Sequence, residues 1–250
     1  MLSKSEVIFE NESFKYFKRG YSMSEYLNVP PFNDFTDIID TIIRPVRFKV
    51  LEVGCGSGKN LRYLYKNYNS ECYGIEPNKD LVNKLNRDHQ KNGFNIQFSS
   101  GFSNNLVFAD NFFDLVICWS VLHWVDRNQF LQTLGEIFRV TNKYILLTDF
   151  CPYYPYKTLY KHKDGIYTYK IDYADIFEKT GVLKKLDELY YVPLNSIKTE
   201  KDYIILESNE YQSSKYDWLV RKRVLFEKNI DLLSLKEEND FQIQFEDKNN

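Results

Sequence analysis

An apolar strand, FKVLEV from residue 48, runs straight into the glycine-spaced turn GCGSG at 54–58, and helical spacing of Leu61, Leu64, Tyr65 and Tyr68 follows. Strand, tight turn and helix in that order are the first half of a βαβ unit, which commits the chain to a parallel sheet covered by helices. Gly54, Gly56 and Gly58 let the backbone of the turn approach a ligand without side-chain obstruction.

The plan repeats downstream. A strand at 71–76 leads to an Asn78 cap and to a helix through Leu81, Val82 and Leu85 that stops at Asn92-Gly93. Further strands are expected at 95–99, 113–118 and 143–149, with a helix near 127–139 opened by Asp126 and Gln129. Upstream, Phe35, Ile38, Ile39, Ile42 and Ile43 form a helical stripe behind an Asn33 cap, stopped by Pro45. Beyond 150 the pattern predicts a short helix near 173–180, opened by an Asp172 cap, strands at 183–192 and 202–207, a helix over 213–228 and a weakly ordered tail. The expected organisation is an N-terminal helical cap at 1–44, one ligand-binding domain at 45–208 and a helical extension with tail at 209–250.

Glu76 gives the glycine turn a chemical meaning. It ends the second strand, where a carboxylate can accept hydrogen bonds from both hydroxyls of a ribose, so the pair points to an adenosine-type ligand. Spacing then separates two cofactor classes. A nicotinamide-dinucleotide turn, G-x-G-x-x-G, needs its third glycine at position 59, which is Lys59. A Tyr-x-x-x-Lys match at Tyr153 and Lys157 is interrupted by Pro155, which breaks the helix that motif requires. An NAD(P)-dependent oxidoreductase is the first rival reading, and a non-catalytic protein that binds the same nucleoside is the second.

With Glu52 in front, the turn reads E-x-G-x-G-x-G and resembles motif I of the class I S-adenosylmethionine (SAM)-dependent methyltransferases. The likeness extends over 48–149. It implies an α/β, Rossmann-like doubly wound sheet of seven strands, with SAM as cofactor and S-adenosylhomocysteine as product. It also implies that Gly54, Cys55 and Gly56 line the methionine part, that Glu52 acts through the turn or a water, and that Glu76 holds the ribose. Cys118 and Trp119 would flank the donor, with Trp119 facing the sulfonium. Phe102 stands where many members carry an aspartate for the adenine amino group, so the adenine would be held by backbone groups of Phe102 and Ser103 and by apolar contact. Asp114 is read as stabilising its strand start or a neighbouring turn.

The acceptor side is read less directly. His123, in SVLHW just past a strand end, is the candidate base, because histidine titrates near neutrality; the alternative is a histidine packed between Trp119 and Trp124. His89 is expected on a solvated helix face. The segment 151–173 holds seven tyrosines, four lysines and His162, and is expected to act as a lid. It resembles a segment of methyltransferases encoded with bacterial surface-glycan genes, through Tyr160-Lys-His162, Gly165 and Tyr169-Lys170-Ile-Asp172-Tyr173. That likeness implies contacts from His162, Tyr169 and Lys170 to an anionic or sugar-bearing acceptor, such as a nucleotide-linked sugar or a capsular phosphoramidate; solvated loop residues are the plain alternative. Tyr16 and Tyr21 either close over the donor or pack a cap helix.

Composition bounds the partners. Lys plus Arg number 33 against 35 Asp plus Glu, which gives no basic field for nucleic acid. The four cysteines have neither metal-ligand nor disulfide-framework spacing, no metal site is expected, and no apolar run is long enough to span a bilayer. A cytoplasmic protein without membrane attachment is expected, with the C-terminal extension free to support the acceptor side or a homodimer contact.

Overall fold

The computed structural model describes residues 4–20, 22, 24–193, 203–206 and 219–229. Helix α1 (Lys4–Gly20) and helix α2 (Asn33–Ile38), which continues into a π turn at Ile39–Ile43, precede the sheet. Strands β1 (Lys49–Val53), β2 (Glu71–Glu76), β3 (Ile96–Ser100), β4 (Phe113–Trp119) and β5 (Thr141–Phe150) alternate with helices α3 (Lys59–Tyr68), α4 (Lys79–Lys91) and α5 (Phe130–Val140). A hairpin of β6 (Tyr156–Leu159) and β7 (Tyr167–Lys170) leads to α6 (Tyr173–Glu178), and then to β8 (Leu183–Pro193), β9 (Tyr203–Leu206) and β10 (Arg221–Lys228).

The main sheet has the order β3-β2-β1-β4-β5-β10-β8-β9. The first five strands pair in parallel, and β10, β8 and β9 pair antiparallel. This is the expected Rossmann-like methyltransferase sheet of seven strands with one further short strand, β9, at its edge. The order reverses at β1 and β4, so a crevice opens beyond their carboxyl ends, where such sheets bind ligands.

Local chemistry explains each element. The β1 residues Val50, Leu51 and Val53 are fully covered on both faces of the sheet, as parallel strands must be. Helix α4 buries Leu81, Val82 and Leu85 along one stripe, and Asn78 caps it by accepting a 2.7 Å bond from the Leu81 N–H. Asp172 caps α6 in the same way through the Asp175 N–H at 3.0 Å. Asp114 accepts from the Lys49 N–H at 2.9 Å and ties β4 to the start of β1.

Three expectations change. Helix α2 begins at Asn33 itself, after Phe32 in extended conformation. His89 is completely buried, between Arg62 (3.1 Å) and the Leu85 carbonyl (2.7 Å), because its helix face meets Tyr26, Phe94 and Phe98 rather than solvent. Residues 221–228 are a strand inserted between β5 and β8, not a helix, so the 209–250 extension contributes to the sheet itself. The helical reading over 213–218 lies outside the described residues. Among the described residues, no helix is long and apolar enough to cross a membrane.

Candidate active site

The turn after β1 is built by glycine. Gly54 has φ of +67°, and a Cβ there would sit 2.4 Å from a Val121 methyl. Gly56 has φ of +53°, and a Cβ there would meet nothing within 4 Å and would project into open space. Gly56 lines a cavity of about 680 Å³ together with the rest of the turn, Glu76 and Pro77 at the end of β2, Phe102–Asn104 after β3, and Trp119–Val121 at the end of β4. Helix α1 closes it with Glu12, Tyr16 and Phe17, and Asp34, His123, Trp124, Tyr160, Tyr191 and Arg221 line the remainder.

The donor end carries buried polar groups that ask for a ligand. Glu52 accepts a 2.7 Å bond from the Asn60 amide at Oε1, while Glu52 Oε2, Asn60 Oδ1 and Ser57 Oγ are buried with no hydrogen-bond partner among the described residues. Buried polar atoms of this kind are rare in a folded protein, and a cluster of acceptors at one point suits an ammonium. Glu76, 6% exposed, accepts from the Gly56 N–H at 3.2 Å and lines the same cavity. Burial pushes the Glu52 carboxyl up to about 8 and the Glu76 carboxyl up to about 7, against the hydrogen bonds that favour their charged forms. A sulfonium donor with an α-ammonium group fits this set: Glu52, Asn60 and Ser57 would hold the ammonium, and Glu76 the ribose hydroxyls.

These raised carboxyls are expected to make the binding of a cationic ligand pH-dependent. Without a cation they hold more protons folded than unfolded once the pH exceeds about 4.5, so their contribution to stability is present below that value and lost as pH rises through 7 to 8. A cationic ligand restores it by favouring the carboxylates. The rise in melting temperature caused by SAM is therefore expected to grow from pH 5.5 to 7.5, and Glu52→Gln is expected to flatten that growth. A SAM-induced rise that is the same at both pH values contradicts this account.

The residues expected beside an adenine can be located on the cavity wall. Phe102 and Ser103 line the cavity; Ser103 Oγ lies 3.1 Å from Thr133 Oγ1, which occupies its hydroxyl. Asn104 lines the cavity as well and was not anticipated, since no spacing distinguishes it within the loop. Cys55 lines the cavity, but Cys118 does not: β4 alternates, and Cys118 is buried in the core with Val116, Leu122 and Leu147, while Trp119 reaches the cavity wall. Tyr21 lies outside the described residues.

At the far end, His123 follows β4 on a short 3-10 turn and is 5% exposed. Its Nδ1–H donates to Asp149 Oδ1 at 2.8 Å, and its backbone N–H donates to Asp149 Oδ2 at 3.2 Å. This fixes the ring orientation and leaves Nε2 as the basic nitrogen. Burial pulls the imidazole down to about 4 against the pull of Asp149, and Asp149 in turn is held below the usual carboxylate range by His123 and Arg221 despite its burial. His123 also touches Trp124 and Phe150, with ring centroids 5.0 and 4.9 Å away. The dyad partner, Asp149 at the carboxyl end of β5, is a residue that sequence alone did not assign to the site.

The hairpin is placed over the cavity through one residue. Tyr160 lines the wall, stacks edge-on to Trp124 at 5.0 Å, and joins Arg19 and Glu12 of α1 by hydrogen bonds. His162, Tyr169 and Lys170 are not among the lining residues. His162 is exposed and edge-on to Tyr160, Tyr169 lies under Arg127, and Lys170 is buried with its ammonium 3.7 Å from the Phe150 ring centroid. A four-residue strand alternates, so Tyr169 and Lys170 cannot both face one ligand.

Residues 50–143 match the family model of a methyltransferase domain. The chain is 34% identical over 108 residues to a fatty-acid O-methyltransferase of Mycolicibacterium smegmatis, covering 42% of this chain and 38% of that protein. It is 27% identical over 149 residues to a probable chloroplastic tocopherol O-methyltransferase of Oryza sativa, covering 58% and 37%. The chain thus matches less than half the length of these relatives. Among solved structures, the 1,6-didemethyltoxoflavin-N1-methyltransferase of Burkholderia thailandensis, with bound S-adenosylhomocysteine, superposes with a TM-score of 0.63 at 10% identity, covering 92% of each chain. The sheet order and these matches agree: residues 50–143 match a methyltransferase domain, and the fold is the one that solved methyltransferases share.

Proposed function

We propose that this protein moves the methyl group of SAM to an oxygen of a polar, anionic small molecule in the cytoplasm. The observation that carries this reading is His123, on the wall of the same cavity that Glu52 and Glu76 line and hydrogen-bonded from behind to buried Asp149. SAM supplies a methyl group bound to a positively charged sulfur. Transfer is an in-line displacement, in which an O–CH3 bond forms as the S–CH3 bond breaks, so alignment and exclusion of water dominate the rate. Glu52 and Glu76 fix the donor, Trp119 screens it from solvent, and the hydroxyl proton of the acceptor passes to His123 Nε2. Asp149 orients the ring and stabilises the imidazolium that results.

The likeness of 151–173 to enzymes of surface-glycan gene clusters supports a nucleotide-linked or phosphorylated glycan precursor as acceptor. In this reading His162 meets it at the rim beside Tyr160, and Tyr169 and Lys170 act through the hairpin that carries Tyr160. The test is incubation with methyl-labelled SAM and a panel of nucleotide sugars, sugar phosphates and hydroxy acids, read by mass spectrometry. Label in an O-methyl product of an anionic member is the expected result. Tight SAM binding with no product from any member favours the non-catalytic reading, and NAD(P) binding in place of SAM overturns both.

A further inference from the structure

We propose that Arg221 is an anion anchor that grips a carboxylate or phosphoryl group of the methyl acceptor. The proposal rests on the reading of this cavity as the acceptor site and adds a residue that no motif marks.

Arg221 opens β10, and its register places it opposite Phe150 on one side and Tyr191 on the other. The guanidinium carbon lies 3.5 Å from the Phe150 ring centroid, a contact that holds the planar group flat. Nη1 donates to Ser120 Oγ at 3.2 Å, which fixes rotation within that plane. Ser120 is itself set by a left-handed backbone (φ of +60°) and by its N–H bond to the Thr148 carbonyl at 2.7 Å. The result is a rigid fork on the cavity wall.

The fork is charged and mostly buried, yet its donors are little used. A guanidinium has five N–H groups, and among the described residues Ser120 takes one. The nearest carboxylate oxygen, Asp149 Oδ1, is 3.9 Å away, too far for a hydrogen bond. That oxygen already accepts from His123 Nδ1 at 2.8 Å and from the Phe150 N–H at 2.7 Å. Asp149 therefore attracts Arg221 without satisfying it. Lys170 lies on the same phenyl ring at 3.7 Å, and because burial and Arg221 pull its ammonium down to about 7, it adds positive potential from behind mainly below neutral pH. A side chain with 18% exposure in this state favours a ligand that brings two acceptor oxygens, because a planar bidentate anion matches the fork. His123 and Arg221 approach Asp149 from two sides, so an acceptor held by the fork presents a neighbouring hydroxyl to the imidazole.

The experiment is calorimetric titration of inorganic phosphate, and separately of acetate, into the protein saturated with S-adenosylhomocysteine. The expected result is millimolar binding of at least one anion, weakened tenfold or more by Arg221→Gln and less by Arg221→Lys, with S-adenosylhomocysteine affinity unchanged in both variants. Equal anion binding by the wild type and Arg221→Gln overturns the proposal, as does the absence of binding to the wild type. A collapse of S-adenosylhomocysteine affinity in Arg221→Gln also overturns it, by assigning the fork to the donor's own carboxylate. The methyl-transfer reading fails separately: Arg221-dependent phosphate binding without any methylated product sinks that reading and leaves the anchor standing.

Discussion

Replacing His123 with asparagine is expected to lower turnover by two to four orders of magnitude while leaving S-adenosylhomocysteine affinity within threefold of wild type. The size follows from general-base catalysis, which typically contributes about 10²- to 10⁴-fold. The direction follows from the geometry: Nδ1 is committed to Asp149 at 2.8 Å, so the proton-accepting lone pair sits on Nε2. Burial holds the imidazole near 4, so it is neutral and able to accept a proton throughout the physiological range. Asp149→Asn should cost a similar amount, because an amide that donates toward Nδ1 favours the wrong tautomer. Groups that act as one unit are non-additive, so the double variant should be scarcely slower than either single one. The measurement is single-turnover methyl transfer to the acceptor found in the panel. A His123→Asn protein with turnover within threefold of wild type makes the histidine a packing residue, and the base reading ends there.

The sequence was most legible where one local rule acted alone. The glycine turn, the Asn78 and Asp172 caps and the first five strands depend on neighbours close in the chain, and their residues announce them. Strand β10 was opaque for the opposite reason. RKRVLFEK carries five charges among its eight residues, which reads as a helix surface. In the fold, Lys222 is paired with Asp172 at 3.1 Å and Arg223 with Asp187 at 3.0 Å, so buried cations are neutralised by partners 50 and 36 residues away. His89 misled in the same way, since its partner Arg62 comes from another helix. The candidate site divides along the same line. Glu52, Gly54, Cys55, Gly56 and Glu76 follow from motif spacing, whereas Asp34, Tyr191 and Arg221 reach the cavity, and Asp149 reaches His123 behind it, through strand order and cap packing that no window of sequence contains.

Removing the carboxylate at position 76 tests the donor side with the least ambiguity. Glu76→Ala is expected to weaken SAM binding by about 1.5 to 3 kcal/mol, the value of hydrogen bonds to a charged group, or roughly 10- to 150-fold. Loss of folding is a poor explanation of such a result here. Burial raises the Glu76 carboxyl to about 7 against hydrogen bonds from the Gly56 N–H at 3.2 Å and the Ser13 side chain, so its charged form is disfavoured in the ligand-free protein. Deleting a carboxyl whose charge burial disfavours should leave the ligand-free melting temperature unchanged or higher. Glu76→Gln retains one acceptor oxygen and should fall between alanine and wild type in SAM affinity. The two effects therefore separate in one pair of titrations and melting curves: affinity drops while intrinsic stability does not. SAM affinity in Glu76→Ala equal to that of wild type removes the ribose from the end of β2 and, with it, the placement of the donor across the glycine turn.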